Sequence, residues 1–283
     1  MRIETINELR NFLDSQRNAG KTVGLVPTMG FLHEGHLSLI RKAKEENDIV
    51  VVSDFVNPTQ FAPNEDFESY PRNIERDTEM AENAGADVIF YPSVSEMYPA
   101  GSSTFVTVEG RITNVLCGAS RPTHFKGVTT VVNMLFNIVE PNRAYFGQKD
   151  AQQAAILMKM VNDLHLRVKL VVCPIVREKD GLALSSRNTY LSAEERKQAV
   201  VLSQALQLAE EAFANGEKNG TTLIALITNK IKEMPLARID YVSIYSYPAL
   251  EAISTVSERA IAAVAVYFGK TRLIDNVILD PNR

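Results

Sequence analysis

The chain has 283 residues, of which 45% are hydrophobic and 23% are charged, as in ordinary globular proteins. This composition excludes an intrinsically disordered chain, and the length predicts about two domains. The net charge of −4 disfavours binding to nucleic acid or to a membrane surface. A small anionic ligand needs only a few local positive groups, so it is compatible with this charge.

The sequence after Met1 lacks the apolar stretch of a signal peptide. The uncharged run Ala260–Gly269 is much shorter than the ~20 residues of a membrane-spanning helix. Cys117 and Cys173 lie far apart, which predicts two buried thiols rather than a disulfide or a thiolate zinc site. Together these observations predict a cytoplasmic protein.

Apolar runs alternate with helical patterns through the first 175 residues. The predicted strands are Thr22–Val26, Asp48–Phe55, Asp87–Phe90, Arg143–Phe146 and Arg167–Val172. The predicted helices are His36–Glu46, Asn73–Asn83, Gly127–Val139 and Asp150–Leu164. Strands that are apolar on both faces and separated by helices predict an α/β fold with a doubly wound, Rossmann-like parallel sheet. Ligands of such sheets bind beyond the carboxyl ends of the strands.

The pattern changes after Pro174. The residues Leu191–Glu195 contain a Ser-x-x-Glu capping box, which predicts the start of a helix. Two helices, Ala193–Ala214 and Thr221–Met234, are followed by the strands Ile239–Ser246, Arg259–Phe268 and Leu273–Leu279. Helices followed by consecutive strands predict an α+β domain with an antiparallel sheet. We therefore predict a larger domain at 1–175 and a smaller one at 176–283 that closes over it.

The segment PTMGFLHEGH, residues 27–36, follows a predicted strand and opens a helix. A helix N-terminus presents unpaired N–H groups and a positive dipole, which suits phosphate. His33 and His36 would share a face of the first turn, and Gly35 leaves room for a ligand. A zincin motif needs its second histidine one residue later, so that metal site is not predicted. A ligand site is favoured over a histidine that only caps the helix.

The segment AYFGQKD, residues 144–150, also runs from a strand end into a helix. Asp150 can cap this helix, Lys149 would stand beside its N-terminus, and Gln153 can bond a polar group one turn later. Alone, the segment is also typical of a surface turn. Its position beyond a second parallel strand favours a ligand site.

Two further segments carry side chains that suit ligands. LSSRN, residues 184–188, offers two hydroxyls and a guanidinium fork that matches oxyanions, although a solvated loop is the alternative. DFVNPTQF, residues 54–61, mixes neutral amides with apolar groups, which suits a small polyhydroxy acid. The alternative there is a β-turn that starts at Asn57.

These blocks carry a family resemblance. His33-Glu34-Gly35-His36 is similar to the HIGH signature of the adenylyl-transferring superfamily, and residues 184–187 occupy the place of its KMSKS loop. Together with FVNPTQF, HFKGVTTVV and YFGQKDAQQ, the blocks at residues 27–192 resemble the pantothenate synthetase family.

The resemblance implies a ligase that condenses pantoate with β-alanine. Pantoate's carboxylate would attack the α-phosphate of ATP, giving pantoyl adenylate and pyrophosphate, and the amine of β-alanine would then displace AMP. The resemblance also implies Mg²⁺ as a cofactor and a homodimer, while the charge predicts no nucleic-acid or membrane partner. The segment 104–123 would be either a mobile flap or an ordered connection.

The resemblance further implies the site residues. Catalysis would depend on His33, His36, Lys149 and Arg187. The ATP contacts would come from Met29, Gly30, Phe31, Leu32, His33, Glu34, Gly35, His36, Gly147, Gln148, Lys149, Asp150, Val176, Leu184, Ser185, Ser186 and Arg187. Pantoate and β-alanine would contact Gln60, Gln153 and Asn57. Metal-binding carboxylates in this family come from a helix start near Asp77, where this chain has Arg76.

Two other functions are compatible with these motifs. One is a nucleotidyltransferase whose product keeps the nucleotide, which the detection of free AMP would exclude. The other is a nucleotide-binding regulatory domain without turnover. The presence of cations and neutral amides in four separate loops argues against simple binding.

Overall fold

The computed structural model describes residues 1–62, 65 and 67–282. The chain divides into two compact units. Unit 1 comprises Met1–Val108, Arg121–Gly147 and Ile156–Pro174, and unit 2 comprises Glu109–Ser120, Gln148–Ala155 and Ile175–Arg283. The break between Pro174 and Ile175 lies next to the boundary predicted at residue 175, and the closure of the smaller domain over the larger one stays a prediction. The units differ from the predicted domains in that the segments 109–120 and 148–155 pack with unit 2 rather than with the sequence that surrounds them.

Unit 1 contains a six-stranded sheet in which every pair of neighbouring strands is parallel. The strand order is β1-β4-β3-β2-β5-β6. Its strands are β1 (Arg2–Ile3), β2 (Val23–Thr28), β3 (Ile49–Asp54), β4 (Val88–Phe90), β5 (Arg143–Gly147) and β6 (Lys169–Cys173). The predicted parallel sheet is therefore confirmed, and the short edge strand β1 is an addition to it.

Seven α-helices occur along the chain among the described residues up to Pro174. They are α1 (Ile6–Asn18), α2 (Glu34–Glu46), α3 (Ile74–Asn83), α4 (Val94–Met97), α5 (Cys117–Ser120), α6 (His124–Val139) and α7 (Ala151–Asp163). Helix α6 ends at Val139, as predicted. Glu140 there adopts a left-handed conformation that stops the helix.

Successive strand residues point to opposite faces of the sheet, and both faces are buried. Leu25 of β2 belongs to a core with residues of α1, α6 and α7. Val26, the next residue, belongs to a second core with residues of α2 and α3. This arrangement explains why the strands are apolar throughout, and it confirms the doubly wound class.

Unit 2 contains a three-stranded antiparallel sheet of β7 (Ala237–Ser246), β8 (Ala260–Phe268) and β9 (Thr271–Leu279). Three helices, α8 (Ala193–Ala199), α9 (Val201–Ala214) and α10 (Gly220–Lys232), precede it along the chain. The predicted capping box is present at Ser192 and Glu195. The predicted single helix Ala193–Ala214 is wrong in one respect, because it is interrupted at Val200.

The segment 104–123 forms many hydrogen bonds. Val106 is tied to Thr129 and Thr130 of α6 in unit 1. In unit 2, the buried amide of Gln152 accepts from the N–H of Cys117 and donates to the carbonyl of Ile112 at 2.9 Å. These bonds tie parts of the segment to the chain around it, and the flap and the ordered connection both stay predictions. Cys117 and Cys173 are both buried free thiols, as predicted.

Candidate active site

The carboxyl end of β2 marks the position where the strand order of the parallel sheet reverses. β3 and β4 lie on one side of β2, and β5 and β6 lie on the other. In open parallel sheets, ligands bind at such a reversal. Residues 29–33 form the loop at this position, between the end of β2 at Thr28 and the start of α2 at Glu34.

Two residues of α3 hold this loop in place. The carboxylate of Asp77 accepts the N–H of Phe31 at 2.6 Å and the N–H of Leu32 at 2.7 Å. Arg76 donates to the carbonyl of Leu32 at 3.0 Å, and its guanidinium lies 5.2 Å from the centroid of the Phe31 ring. Phe31 has a φ of 50°, which is unfavourable for a residue with a side chain. The contacts from α3 therefore stabilise a conformation that the loop would not adopt alone.

Asp77 does not fit the magnesium role that the resemblance implies for it. Both of its oxygens accept backbone N–H groups, and only 1% of the residue is exposed. Burial raises its pKa, although the N–H groups of Leu32 and Phe31 act in the opposite direction. No group of three or more His, Cys, Asp or Glu side chains suited to a metal ion occurs within the described ranges. The structure assigns Asp77 to the support of the loop.

The two histidines lie together at the start of α2. His33 is the N-cap residue, and its Nδ1 accepts the N–H of Gly35 at 3.1 Å. Nδ1 of His36 accepts the N–H of His33 at 3.3 Å, and the ring centroids are 4.1 Å apart. Because both Nδ1 atoms are acceptors, the proton of each neutral ring is on Nε2. His33 thus caps the helix, and both rings lie at its N-terminus.

Gln60 follows β3 in a short 3-10 helix, Pro58–Gln60. Its side-chain amide donates to Sδ of Met29 at 2.7 Å, which connects it to the loop after β2. Its Oε1 accepts from Nδ2 of Asn57 at 3.2 Å. Oδ1 of Asn57 in turn accepts the hydroxyl of Tyr98 at 2.8 Å. Burial raises the pKa of Tyr98, so this hydroxyl is a neutral donor at neutral pH.

Asn57 is predicted to contact substrate, yet the structure gives it another task. It is 1% exposed, and its amide group also donates to the carbonyl of Gly127 and accepts the N–H and hydroxyl of Thr59. Both ends of the amide are therefore engaged within the protein. Asn57 acts by fixing Gln60, and a direct substrate contact stays a prediction.

The backbone of Gln60 is held as firmly as its side chain. The carbonyl of Gln60 accepts from Nδ1 of His124 at 2.9 Å and from Arg121 at 3.3 Å. Arg121 forms a two-bond ion pair with Glu65 at 2.5 and 2.6 Å. A Cβ atom on Gly127 of α6 would lie 2.6 Å from Cα of Gln60, so only glycine permits this approach.

The Gly147–Asp150 tract lies at the end of β5. Gln148–Asp150 forms a 3-10 helix that leads into α7, and Gln153 lies in the first turn of α7. In unit 2, Nδ2 of Asn276 on β9 donates to the carbonyls of Gln148 at 2.9 Å and Lys149 at 3.0 Å. The ammonium of Lys149 is 3.8 Å from the carboxylate of Asp150. The backbone that carries Lys149 is thus anchored to β9.

The segment that contains Val176 and Leu184 is anchored to the same strand. The N–H of Leu184 donates to the carbonyl of Val176 at 3.0 Å, which closes a small hairpin. Arg177 in this hairpin makes two bonds, at 2.6 and 3.0 Å, with the buried Asp275 of β9. Burial raises the pKa of Asp275, and Arg177 opposes that effect.

The predicted residues 185–187 follow the hairpin. Ser186–Tyr190 is a 3-10 helix, and the hydroxyl of Ser185 caps it by accepting the N–H of Arg187 at 3.3 Å. The amide of Asn188 donates to Glu178 and to the carbonyl of Ala183. Within unit 2, the structure therefore places the tract with Lys149 and the tract with Arg187 against one strand, β9.

Several residues of the site are absent from the sequence prediction. Tyr98, Asn276 and Arg121 each hold a predicted site residue from a distant part of the chain. No local pattern identifies them. Their only sequence signal is a polar or aromatic side chain close to a predicted turn or strand.

Comparisons with known proteins give a consistent result. The sequence model of the pantoate-beta-alanine ligase family matches residues 1–278. Pantothenate synthetase of Acetivibrio thermocellus is 58% identical over 278 residues, which cover 98% of this chain and 99% of that protein. That of Thermotoga neapolitana is 55% identical over 277 residues, with coverages of 98% and 99%.

Two solved structures extend the comparison to the fold. A pantothenate synthetase from Thermus thermophilus has a TM-score of 0.95 at 47% identity, covering 99% of this chain and 100% of that one. A pantoate-beta-alanine ligase from Francisella tularensis, complexed with beta-gamma ATP and beta-alanine, has a TM-score of 0.82 at 36% identity. The coverages there are 98% and 97%.

No helix in the part of the chain that the structure describes is long and apolar enough to cross a membrane. The sequence blocks, the reversal site of the sheet and the full-length relatives agree with one another. The chain therefore belongs to the pantoate-beta-alanine ligase family.

Proposed function

We propose that this chain condenses pantoate with β-alanine at the expense of ATP, giving pantothenate, AMP and pyrophosphate. The observation that carries the proposal is the family match over residues 1–278. The loop at residues 29–33 supports it, because two histidines and a helix N-terminus meet there, which suits phosphate.

The reaction would have two steps. A carboxylate oxygen of pantoate attacks the α-phosphorus of ATP, and the bond to pyrophosphate breaks with its electron pair. The amine of β-alanine then attacks the acyl carbon, AMP departs with the electron pair of its bond, and the nitrogen loses a proton. The protein needs no nucleophile of its own. Its task is to stabilise charge on the phosphates and to keep water from the mixed anhydride.

His33 and His36 would serve the first step as neutral donors. Their Nδ1 atoms accept backbone N–H groups, so protonation of these atoms would break the cap of α2. A positive dipole at the helix start also disfavours an imidazolium. We infer that their Nε2–H groups donate to phosphate oxygens and transfer no proton.

Lys149 and Arg187 would supply the positive charge for the departing pyrophosphate. Loss of one such donor typically lowers a rate about 100- to 1000-fold. We therefore expect Lys149→Ala and Arg187→Ala to lower the rate of adenylate formation by this factor. Lys159→Ala on α7 is the control, because Lys159 is exposed and pairs with the exposed Asp163, so its loss should leave the rate unchanged. Full activity of both variants would refute the assignment.

Gln60 and Gln153 are the proposed contacts of pantoate, with Gln60 also close to β-alanine. The support for Gln60 is its fixed position, since buried, preorganised amides orient a polar substrate at little entropic cost. Mg²⁺ stays a prediction of the family resemblance. Because Asp77 does not fit as its ligand, no step is assigned to the metal.

The assay measures pyrophosphate, AMP and pantothenate while one substrate at a time is omitted. Pyrophosphate release should require pantoate, and multiple turnover with AMP formation should require β-alanine as well. ATP turnover that is unchanged without pantoate would contradict the proposal. A nucleotide-linked final product would indicate the nucleotidyltransferase alternative, and ATP binding without turnover would indicate the regulatory domain.

The predicted homodimer and cytoplasmic location also remain proposals. Sedimentation velocity over a range of protein concentrations measures the first, and a monomer throughout that range would refute it. Fractionation of the source cells measures the second.

A further inference from the structure

The carboxyl end of β3 holds a buried acid that the proposed reaction does not use. Asp54 is 4% exposed. Within residues 1–62, 65 and 67–282, its carboxyl group has no hydrogen bond and no ion pair. Buried carboxyl groups normally have such partners, because an unpaired charge in a nonpolar environment is costly. The position of this acid therefore needs a reason.

The carboxyl group of Asp54 packs directly against the loop after β2. A Cβ atom on Gly30 would overlap Oδ1 of Asp54 and would lie 3.0 Å from its Cγ. Gly30 has a φ of 76° and donates its N–H to the hydroxyl of Thr28, which pairs with Asp54 across the two strands. The acid thus lies against the turn that begins the predicted phosphate-binding loop.

Ionisable side chains near Asp54 come from two elements, α3 and the start of α2. On α3, Asp77 opposes ionisation of Asp54 by like-charge repulsion, and Arg76 is paired with Asp77. At the start of α2 lie His33 and His36. Thr28 on β2, which pairs with Asp54, and Phe90 on β4, which pairs with the preceding Ser53, are both neutral, and Tyr91 follows β4.

Burial, together with the charge of Asp77, raises the pKa of Asp54 to about 7. Neutral and ionised forms of this side chain therefore exchange within the physiological pH range. The ionised form adds a negative charge beside a loop whose proposed ligand is a polyanion.

We propose that Asp54 is a positioning residue whose neutral carboxyl group packs against Gly30 and keeps the loop receptive to ATP, and whose carboxylate weakens ATP binding as the pH rises. This inference rests on the proposed ATP site in the loop. By reciprocity, bound ATP opposes the ionisation of Asp54, so ATP binding and protonation of Asp54 favour each other.

Steady-state kinetics of the wild type and Asp54→Asn between about pH 6 and pH 8.5 test this inference. The amide has the shape of the neutral acid and does not ionise. We expect the KM of the wild type for ATP, divided by that of Asp54→Asn, to rise about three- to tenfold over this range. The KM for β-alanine should depend on pH in the same way in both proteins. Dividing the KM of the wild type by that of the variant removes the effect of the titration of ATP itself, because this effect is the same for both proteins.

Asp48→Asn is the matched control. Asp48 precedes the same strand at its opposite end, is exposed, and accepts from the N–H and hydroxyl of Thr22. Its variant should keep the wild-type pH dependence of the KM for ATP. An equal pH dependence in the wild type and Asp54→Asn would overturn the inference.

Calorimetry with ATP alone separates the inference from the proposed function. Titrations at about pH 7.5, in two buffers of different ionisation enthalpy, measure the protons taken up on binding. Greater uptake in the wild type than in Asp54→Asn supports the inference, and equal uptake contradicts it. ATP binding without pantothenate formation would refute the proposed function only. Failure of ATP to bind the wild type would overturn both.

Discussion

The buried carboxyl group of Asp54 predicts an unusual dependence of stability on pH. Its pKa is raised from 3.8 to about 7 in the folded chain. Below the pKa of Asp54 in the unfolded chain, Asp54 is protonated in both the folded and the unfolded state. Burying the neutral group then costs no stability through ionisation. As the pH rises, the unfolded chain loses its proton first, and the folded state is progressively disfavoured until the folded pKa is passed.

The magnitude follows from the shift. A difference of about 3 units, at 1.36 kcal/mol each, corresponds to ~4 kcal/mol of lost stability above pH 7. About 3 kcal/mol of this loss falls between pH 5 and pH 8.5, because the penalty grows until the pH passes the folded pKa. Asp54→Asn removes the ionisation and should be more stable than the wild type at alkaline pH by this order of magnitude. At about pH 4 the advantage should vanish.

Thermal unfolding followed by far-ultraviolet circular dichroism measures the effect, since the chain has no tryptophan for fluorescence. For a chain of this size we expect the variant to gain roughly 5–10 °C in Tm relative to the wild type between pH 5 and pH 8.5. Asp48→Asn should show the opposite sign, because bonds from Thr22 lower the pKa of Asp48 and stabilise its ionised form. A Tm difference between wild type and Asp54→Asn that does not change with pH would show that Asp54 ionises normally and would refute the reasoning.

Three further substitutions test how the site is held. Gly127→Ala should destabilise the fold by about 1–3 kcal/mol in thermal unfolding and raise the KM for pantoate, because the added methyl group would overlap the carbonyl of Thr59; an unchanged Tm would contradict this. Tyr98→Phe removes a donor to Asn57 and should cost about 1 kcal/mol of stability while raising the KM for pantoate more than that for ATP. Equal changes in the two KM values would indicate a general structural effect. A Cβ atom on Gly147 would meet no heavy atom within 4 Å, so Gly147→Ala should leave the Tm unchanged. Any loss of ATP affinity of this variant in calorimetry would therefore place ATP beside this glycine.

Strands and helices were predictable where buried residues recur at a short, regular spacing along the chain. The strand β3, for example, is apolar on both faces, and its sequence is enough to predict that helices cover both sides of the sheet. The histidine pair was also predictable from local geometry. Residues three apart in the first turn of a helix lie close together, independently of the tertiary structure.

The supports of the site were not predictable in this way. Asp77 holds the loop at Phe31 across 46 residues, and Tyr98 reaches Asn57 across 41 residues. The sequence at the start of the helix that contains Asp77 does not distinguish a carboxylate that binds a metal from one that accepts a backbone N–H. Only the folded chain shows that the N–H groups of the loop occupy both oxygens.

The local sequence therefore determined the order of strands and helices, the turns at the strand ends and the side chains offered there. The tertiary structure decided which of those side chains meet a ligand site and which serve as its supports. It also decided that the acid at the end of β3 is buried without a partner among the described residues. The physical reason is that periodicity and capping act within a few residues, whereas desolvation and long-range hydrogen bonds depend on neighbours that only the packed chain brings together.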